Sequence, residues 1–345
     1  MKEDRGKIKI ALLGFGNAGK AFAALLQDKL EEIRKNYRSD VIVTAIATGS
    51  RGCLINENGV DVARALSEIQ EQGRFFAENP DASTLTSLEI AEKAAYDILV
   101  EMTPLAIFSG RPAIDHIEAA FHRKKHVITA NKGPIAWDFK RLRRLAESQG
   151  VRFCYETTVM DGTPVFNLVE DTLKLCRVTA VKGILNSTTN FILEELAKGR
   201  PYDEVIAEGK MKGFVEADPA LDVEGWDAAA KTAALLNVLM DADITPDLIQ
   251  RKGIAGITTD QLREADARGK VIKLLCRGTI QNGTVIGSVG PEEIDQKDLF
   301  ASISGTSSVV TITTDLMGPV SVVEHDPEIL QTAYGVLSDL IRVIG

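Results

Sequence analysis

Apolar and polar positions along the first 150 residues follow two periods in turn. KIKIALL (7–13) is a near-continuous apolar run of strand length, and KAFAALLQDKLEEIRK, which follows soon after, sets Phe22, Leu25, Leu26, Leu30 and Ile33 at helical spacing. The alternation then repeats. VIVTAIATG (41–49), DILVEMT (97–103) and HVITAN (126–131) predict strands, while 61–73, 111–124 and 138–150 predict helices. Strand and helix in strict succession predict an α/β fold with a parallel, doubly wound sheet. Beyond residue 150 the pattern changes. RFCYETTVMDGTP (152–164) reads as a strand ending in a turn, and VTAVKGILNSTTNFILEELAKG (178–199) as a strand leading into a helix. TIQNGTVIGSV (279–289) carries the Asn-Gly signal of a hairpin. The expected organisation is a first domain of residues 1–150, completed by a helix at 327–345, and an α+β domain of residues 151–326.

The junction after the first strand changes the picture most. GFGNAG fills the space between strand and helix, and in that context each glycine has a task. Gly14 makes the tight turn, Gly16 lets backbone approach a pyrophosphate, and Gly19 lets the helix pack closely. Phe15, Asn17 and Ala18 complete the loop, and the helix N-terminus supplies N–H donors for phosphates. The expectation is a Rossmann-type dinucleotide site. At the tip of the second strand, Ala47-Thr48-Gly49-Ser50-Arg51 lacks the acid that holds a free ribose 2′-hydroxyl. Ser50 and Arg51 there suit a 2′-phosphate, so NADP is expected, with NAD as the alternative and Arg51 as an ordinary loop cation the bland reading.

Ligands of such sheets collect at the carboxyl ends of strands. VEMTP ends one strand with Glu101 and Thr103, and TANKGP ends another with Lys132, where the Gly-Pro pair is read as preventing a helix start. In the second half, Asn186-Ser187-Thr188-Thr189-Asn190 opens a helix. The run is longer than a cap needs, and its hydroxyls, Thr188 among them, suit a carboxylate ligand.

EADPALDVEGWDAAAK (216–231) then crowds Glu216, Asp218, Asp222, Glu224 and Asp227 ahead of Lys231. With Asp222 as N-cap, a helix would run to about Met240. Asp227 lies one turn before Lys231, and Ala234, Leu235 and Val238 continue its stripe as apolar surface, so the lysine is expected to point into a crevice. General acid–base work is the preferred reading of Lys231, with Glu216 and Asp222 holding an ammonium group. A snorkelling lysine in a surface ion pair is the alternative.

Composition narrows the classes. The chain has 345 residues, 45% of them hydrophobic and 26% charged, and a net charge of -9, which argues against a nucleic-acid partner. The basic string KRLRRL (140–145) has the spacing of a wet helix face. No signal-peptide core or bilayer-length apolar run is present, and the four cysteines show no paired spacing. A reduced, cytoplasmic protein with neither zinc nor membrane contact is expected.

With these motifs assembled, the sequence resembles homoserine dehydrogenase over most of its length. GFGNAG, VEMTP, TANKGP, GILNSTTNFIL and above all GFVEADPALDVEGWDAAAK match that family, as do SGTSSVV (304–310) and TAYGVLSDL (332–340). The resemblance implies reversible NAD(P)-linked interconversion of L-aspartate 4-semialdehyde and L-homoserine, on the route to threonine and methionine. It implies that Lys231 moves the substrate proton with Asp227 beside it, and that Lys132 lies near nicotinamide and substrate. Thr103 would contact nicotinamide, and Glu216 and Asp222 would hold substrate. It also implies a monovalent cation such as sodium at Glu156, Val159, Asp161 and Thr163, largely through carbonyl oxygens, and a homodimer formed through the second domain. Ending at Gly345, the chain is expected to carry neither an ACT domain nor an aspartate kinase.

The sequence departs from the family pattern at Ser187, at Phe214, in Val159-Met160-Asp161-Gly162-Thr163-Pro164, and at EHDPEI (324–329), where a glycine-rich loop is usual. Two other readings stand beside the resemblance: an NADP-linked oxidoreductase of another amino-acid-like aldehyde, and a non-catalytic NAD(P)H-binding protein.

Overall fold

Near-continuous apolar strands need cover on both faces, and the first half of the chain supplies it with helices. A computed structural model of the chain describes residues 6–212, 215 and 218–345. In chain order the first elements are β1 (Lys7–Leu13), α1 (Asn17–Tyr37), β2 (Asp40–Ala47), β3 (Cys53–Ile55), α2 (Val62–Gln72) and β4 (Ala82–Ser83). Then come α3 (Ser87–Lys93), β5 (Ile98–Glu101), α4 (Ala113–His122), β6 (His126–Thr129), α5 (Lys132–Gln149) and β7 (Phe153–Cys154). They build a seven-stranded sheet in the order β4-β3-β2-β1-β5-β6-β7. The pairs from β2 through β7 are parallel, and β3 and β4 add an antiparallel edge. The sheet is thus parallel-dominated and of Rossmann type.

One face of this sheet carries a core of Ile10, Leu12, Phe22, Leu26, Val100 and Ile128, and the other a core of Leu13, Leu99, Ile117, Phe121 and Leu142. The order reverses at β1, where β2 lies on one side and β5 on the other. That is where a doubly wound sheet opens a crevice.

The helix start at Lys132 corrects the sequence reading. α5 begins at Lys132 with Asn131 as its N-cap, and Gly133-Pro134 sit inside its first turn. Proline there removes an N–H that has no intrahelical partner in any case, so it does not prevent the start. The helix kinks at Asp138 (φ −151°, ψ 25°), where the periodic stretch begins.

The second half contributes α6 (Phe166–Thr172), β8 (Val178–Ile184), α7 (Ser187–Ala197), α8 (Tyr202–Lys212), α9 (Ala220–Val223), α10 (Trp226–Met240), β9 (Gln250–Arg251) and α11 (Thr259–Ala267). β10 (Lys270–Gln281), β11 (Thr284–Asp295), β12 (Ser308–Thr314) and β13 (Gly318–Glu324) follow, and α12 (Ile329–Ile344) closes the chain. The second sheet runs β13-β12-β8-β10-β11-β9. Its longest pairing is the β10–β11 hairpin, turned at Asn282 (φ 50°) and Gly283 (φ 80°), the two left-handed positions an Asn-Gly turn needs. The expected single helix from Asp222 is instead two. Asp222 lies inside α9, and Gly225 at φ 81° breaks the chain before α10.

The chain divides into two compact units. One comprises the residues through Pro164 together with Glu328–Gly345, and the other Val165–Pro327. No described helix is long and apolar enough to cross a membrane.

Candidate functional site

In the first unit the dinucleotide cradle is built by the β1–α1 turn. Gly14 has φ +98°, and a Cβ there would lie 2.2 Å from the Met102 carbonyl oxygen. A Cβ on Gly19 would lie 2.3 Å from the Gly14 carbonyl oxygen, so both positions exclude a side chain for reasons internal to the fold. Gly16 differs: a Cβ there meets nothing within 4 Å. It borders open space that a pyrophosphate could fill. A cavity of about 540 Å³ runs from Gly14–Gly19 to Thr48–Arg51. Thr48 closes the β2 loop, its Oγ1 donating to Gly52 O (2.8 Å) and accepting from Arg51 N (2.7 Å). Ser50 and Arg51 have exposed side chains on that loop. The cradle therefore fits a dinucleotide.

A second cavity, of about 210 Å³, is lined by Ala18, Met102, Thr103, Asn131, Lys132 and Thr332. It brings together Thr103 and Lys132, which are 29 positions apart in sequence. Asn131 joins their loops. Its Oδ1 accepts from Gly133 N (2.9 Å), capping α5, and its Nδ2 donates to Thr103 O (3.0 Å). Beneath Thr103 lies Glu101, 0% exposed, which accepts from Thr103 N (3.1 Å), from the Thr103 hydroxyl and from Thr129 Oγ1 (3.3 Å). Neither Asn131 nor Glu101 was assigned a role from sequence. The signal available was their place in TANKGP and VEMTP.

The residues expected to hold a cation also belong to the first unit. Glu156 and Val159 are buried, Asp161 sits at φ 41°, and Thr163 N donates to Met160 O (2.8 Å). α12 packs there. Glu156 N donates to the buried Asp339 (3.0 Å), and Thr332 Oγ1 to Asp161 Oδ1 (2.5 Å). Next to Glu156 in sequence, Thr157 is buried and its Oγ1 lacks a hydrogen-bond partner, an orphaned oxygen of the kind a hard cation takes. Among the described residues no cluster of three or more His, Cys, Asp or Glu side chains could hold a metal.

In the second unit, the N-terminus of α7 and the first turns of α10 form a polar cluster. Asn186 is its centre. Its Oδ1 accepts from Thr189 N (2.8 Å), capping α7, and its Nδ2 donates to Asp222 Oδ1 (2.6 Å) and Asp227 Oδ2 (2.9 Å). Lys231 donates from Nζ to Leu185 O (2.7 Å), with Asp227 Oδ2 at 4.0 Å. The Lys231 side chain is 20% exposed and that of Asp227 17%. The lysine is thus held by the backbone just before Asn186, with its charge partner one helical turn back. Thr188 is buried one residue into α7. Asp218 Oδ1 accepts from Ala220 N (3.0 Å), a structural role, and Glu224 is exposed. Glu216, expected to hold the ammonium group, lies outside the described residues, as does Phe214. Asn186 was legible only as a helix cap, because the acids it joins come from elsewhere in the chain.

Cys276 lies beside this cluster, its Sγ 3.9 Å from Ala228 O. Burial pushes its thiol up to about 11 despite nearby Lys231, so it is protonated at neutral pH and is no nucleophile.

Comparison with known proteins gives one family throughout. A family model for homoserine dehydrogenase matches residues 164–341, and a model for the homoserine dehydrogenase NAD-binding domain matches residues 14–156. A homoserine dehydrogenase of Methanocaldococcus jannaschii is 36% identical over 97% of this chain and 98% of its own. An NAD(+)-dependent homoserine dehydrogenase of Pseudomonas canavaninivorans is 33% identical, covering 97% and 96%. A crystal structure from Archaeoglobus fulgidus, assigned to the same family, superposes with a TM-score of 0.87 at 33% identity, covering 98% and 99%.

Proposed function

The chain belongs to the homoserine dehydrogenase family, and from that premise we propose how its residues divide the reversible, NAD(P)-linked reduction of L-aspartate 4-semialdehyde to L-homoserine. The observation that carries the reading is the Asp222–Asn186–Asp227 bridge beside a lysine anchored on Leu185 O. When bound, the dinucleotide supplies the hydride that reduces the aldehyde carbon. The protein contributes position, charge and a proton.

Lys231 spends one N–H on Leu185 O, and its other two serve the aldehyde oxygen. As negative charge develops on that oxygen, the ammonium group stabilises it and transfers a proton to it, giving the alcohol. Lys231 is partly exposed and regains its proton from water. Asp227 balances the lysine charge in the resting state. Asn186 holds Asp222 and Asp227 apart by donating to both. Asp222, with Glu216, takes the substrate ammonium group, and the hydroxyl-rich start of α7, Thr188 included, takes its carboxylate. Lys132 and Thr103 orient the nicotinamide end, and Gly14 through Gly19 the pyrophosphate. The first unit is in this reading the dinucleotide domain and the second the substrate and self-association domain of a homodimer.

The exposed Ser50 and Arg51 on a loop without a ribose-reading acid favour NADP. A monovalent cation, sodium for example, is held by Glu156, Val159, Asp161 and Thr163 and has no part in the proton transfer.

Oxidation of NADPH or NADH by aspartate semialdehyde, followed by absorbance, tests the reading. Lys231→Ala should lower kcat about 10³-fold, and a full rate in that variant removes the lysine from the chemistry. Arg51→Ala should raise KM for NADPH about tenfold and leave that for NADH unchanged. An equal change for both means that Arg51 does not read the 2′-phosphate. Replacing sodium by tetramethylammonium should slow turnover, and an unchanged rate overturns the cation assignment.

A further inference from the structure

In the second unit the residues that open SGTSSVV (304–310) are held along one side of α7. Ser187, Asn190 and Glu194, at helical spacing, bind the backbone of 303–306. Ser187 Oγ donates to Thr306 O (2.9 Å), and Asn190 Nδ2 donates to Gly305 O (3.0 Å) and Ile303 O (3.3 Å). Glu194 Oε2 accepts from Gly305 N (2.7 Å). Lys273 of β10, 3% exposed, stands behind this seam. Its Nζ donates to Asn190 Oδ1 (2.8 Å) and to Ile303 O (2.6 Å), with Glu194 Oε1 at 3.7 Å.

A buried amine is a weak source of stability. Its desolvation offsets the attraction of its partner, and an apolar side chain of similar size often serves a core as well. What Lys273 adds is direction. Asn190 Nδ2 faces two backbone carbonyls and its Oδ1 faces the lysine, so only this orientation of the amide satisfies all its contacts. The loop is thereby fixed along α7, and its last link, Ser187, is the first residue of that helix. Asn186, one residue earlier, holds Asp222 and Asp227, and Thr188, one residue later, is buried. The start of α7 is therefore gripped from two sides, by the acids of the substrate cluster and by the loop that Lys273 secures.

We propose that Lys273 is a positioning residue for the substrate: through Asn190 and the 303–306 loop it fixes the first turn of α7, which receives the carboxylate of aspartate semialdehyde. The inference rests on the substrate reading of the second unit. The carboxylate takes no part in the chemistry, so a contact to it is felt equally in the ground and transition states, and its loss appears in KM.

Steady-state kinetics and calorimetry on Lys273→Met, Ser187→Ala and the double variant test this. Lys273→Met should raise KM for aspartate semialdehyde about tenfold, leave KM for NADPH unchanged and keep kcat within about twofold. Its Tm should fall by several degrees, because Asn190 Oδ1 loses its donor. Ser187→Ala should raise the same KM about threefold with little change in Tm. The double variant should have no higher KM than Lys273→Met alone, since both substitutions act through one loop. A lower Tm with an unchanged KM makes Lys273 structural only and overturns the proposal. So does an equal rise in both KM values, or a double variant whose effect is the product of the single ones. If Lys273→Met does not fold, Ser187→Ala decides alone, and an unchanged KM in it overturns the proposal. A wild type that does not reduce aspartate semialdehyde overturns the substrate reading itself.

Discussion

Asn186 shows what one amide can do in a site of like charges. Its Nδ2 donates to Asp222 and to Asp227, and its Oδ1 caps α7. Hydrogen bonds to charged acceptors contribute about 1.5–3 kcal/mol each, and a lost cap costs about 1 kcal/mol. Asn186→Ala should therefore lower kcat/KM about 100-fold and lower Tm by several degrees. Asn186→Asp keeps the capping oxygen but brings a third carboxylate to Asp222 and Asp227. It should retain more Tm than alanine and lose more activity. Steady-state kinetics and calorimetry on the pair separate the cap from the bridge, and equal activity in the two variants would mean that the bridge has no catalytic part. At this scale Lys231 was legible from sequence, because helical periodicity alone places it one turn after Asp227 on a stripe that turns apolar. The bridge was not. Asn186 meets acids 36 and 41 residues away, and no local pattern reports such a meeting. The contacts of Glu101 with Thr129 and His116 escaped for the same reason.

Among elements, the β1–α1 turn separates glycines that serve the fold from the one that serves the ligand. Gly14 combines φ +98° with backbone 2.2 Å from where a Cβ would be. Gly14→Ala should destabilise the first unit by about 2 kcal/mol or more, through left-handed strain and the forced shift of Met102. Gly16 has an extended φ of −78° and an open surround, so Gly16→Ala should leave Tm unchanged and weaken dinucleotide binding at least tenfold, since the methyl group takes pyrophosphate space. A thermal melt with and without NADPH reads both, and a Gly16→Ala variant with normal ligand stabilisation would mean that phosphate does not approach there. The order of strands and helices was legible because parallel, buried strands write themselves as apolar runs. Helix ends were harder. Pro134 was read as a barrier though it occupies a first-turn position, and Asp222 as a cap though Gly225 makes the break. Both errors come from judging one residue's preference without the path of the chain into the helix.

In the molecule as a whole, the first unit is discontinuous. Its core is completed by α12, which returns from the far end of the sequence to pack along α1. Val336, Leu337, Leu340 and Ile344 are buried in the same core as Phe22, Leu26 and Ile33 of α1. At about 1.5–3 kcal/mol for each fully buried side chain, those four contribute a sum comparable to the whole stability of a domain, about 5–15 kcal/mol. Hence the apolar spacing of TAYGVLSDLIRVI is a property of the first unit, though it stands last in the chain. Removing Glu328–Gly345 should expose the α1 side of the sheet and take the turn at Gly14 with it, since α1 would no longer be held against β1. The expected results are loss of NADPH binding and loss of amide-exchange protection along β1, β2 and β5. Adding a synthetic peptide of residues 328–345 should restore part of that protection, because burial of those four side chains does not require a covalent link. A truncated chain that still binds NADPH with normal affinity would show that the cradle stands without its last helix.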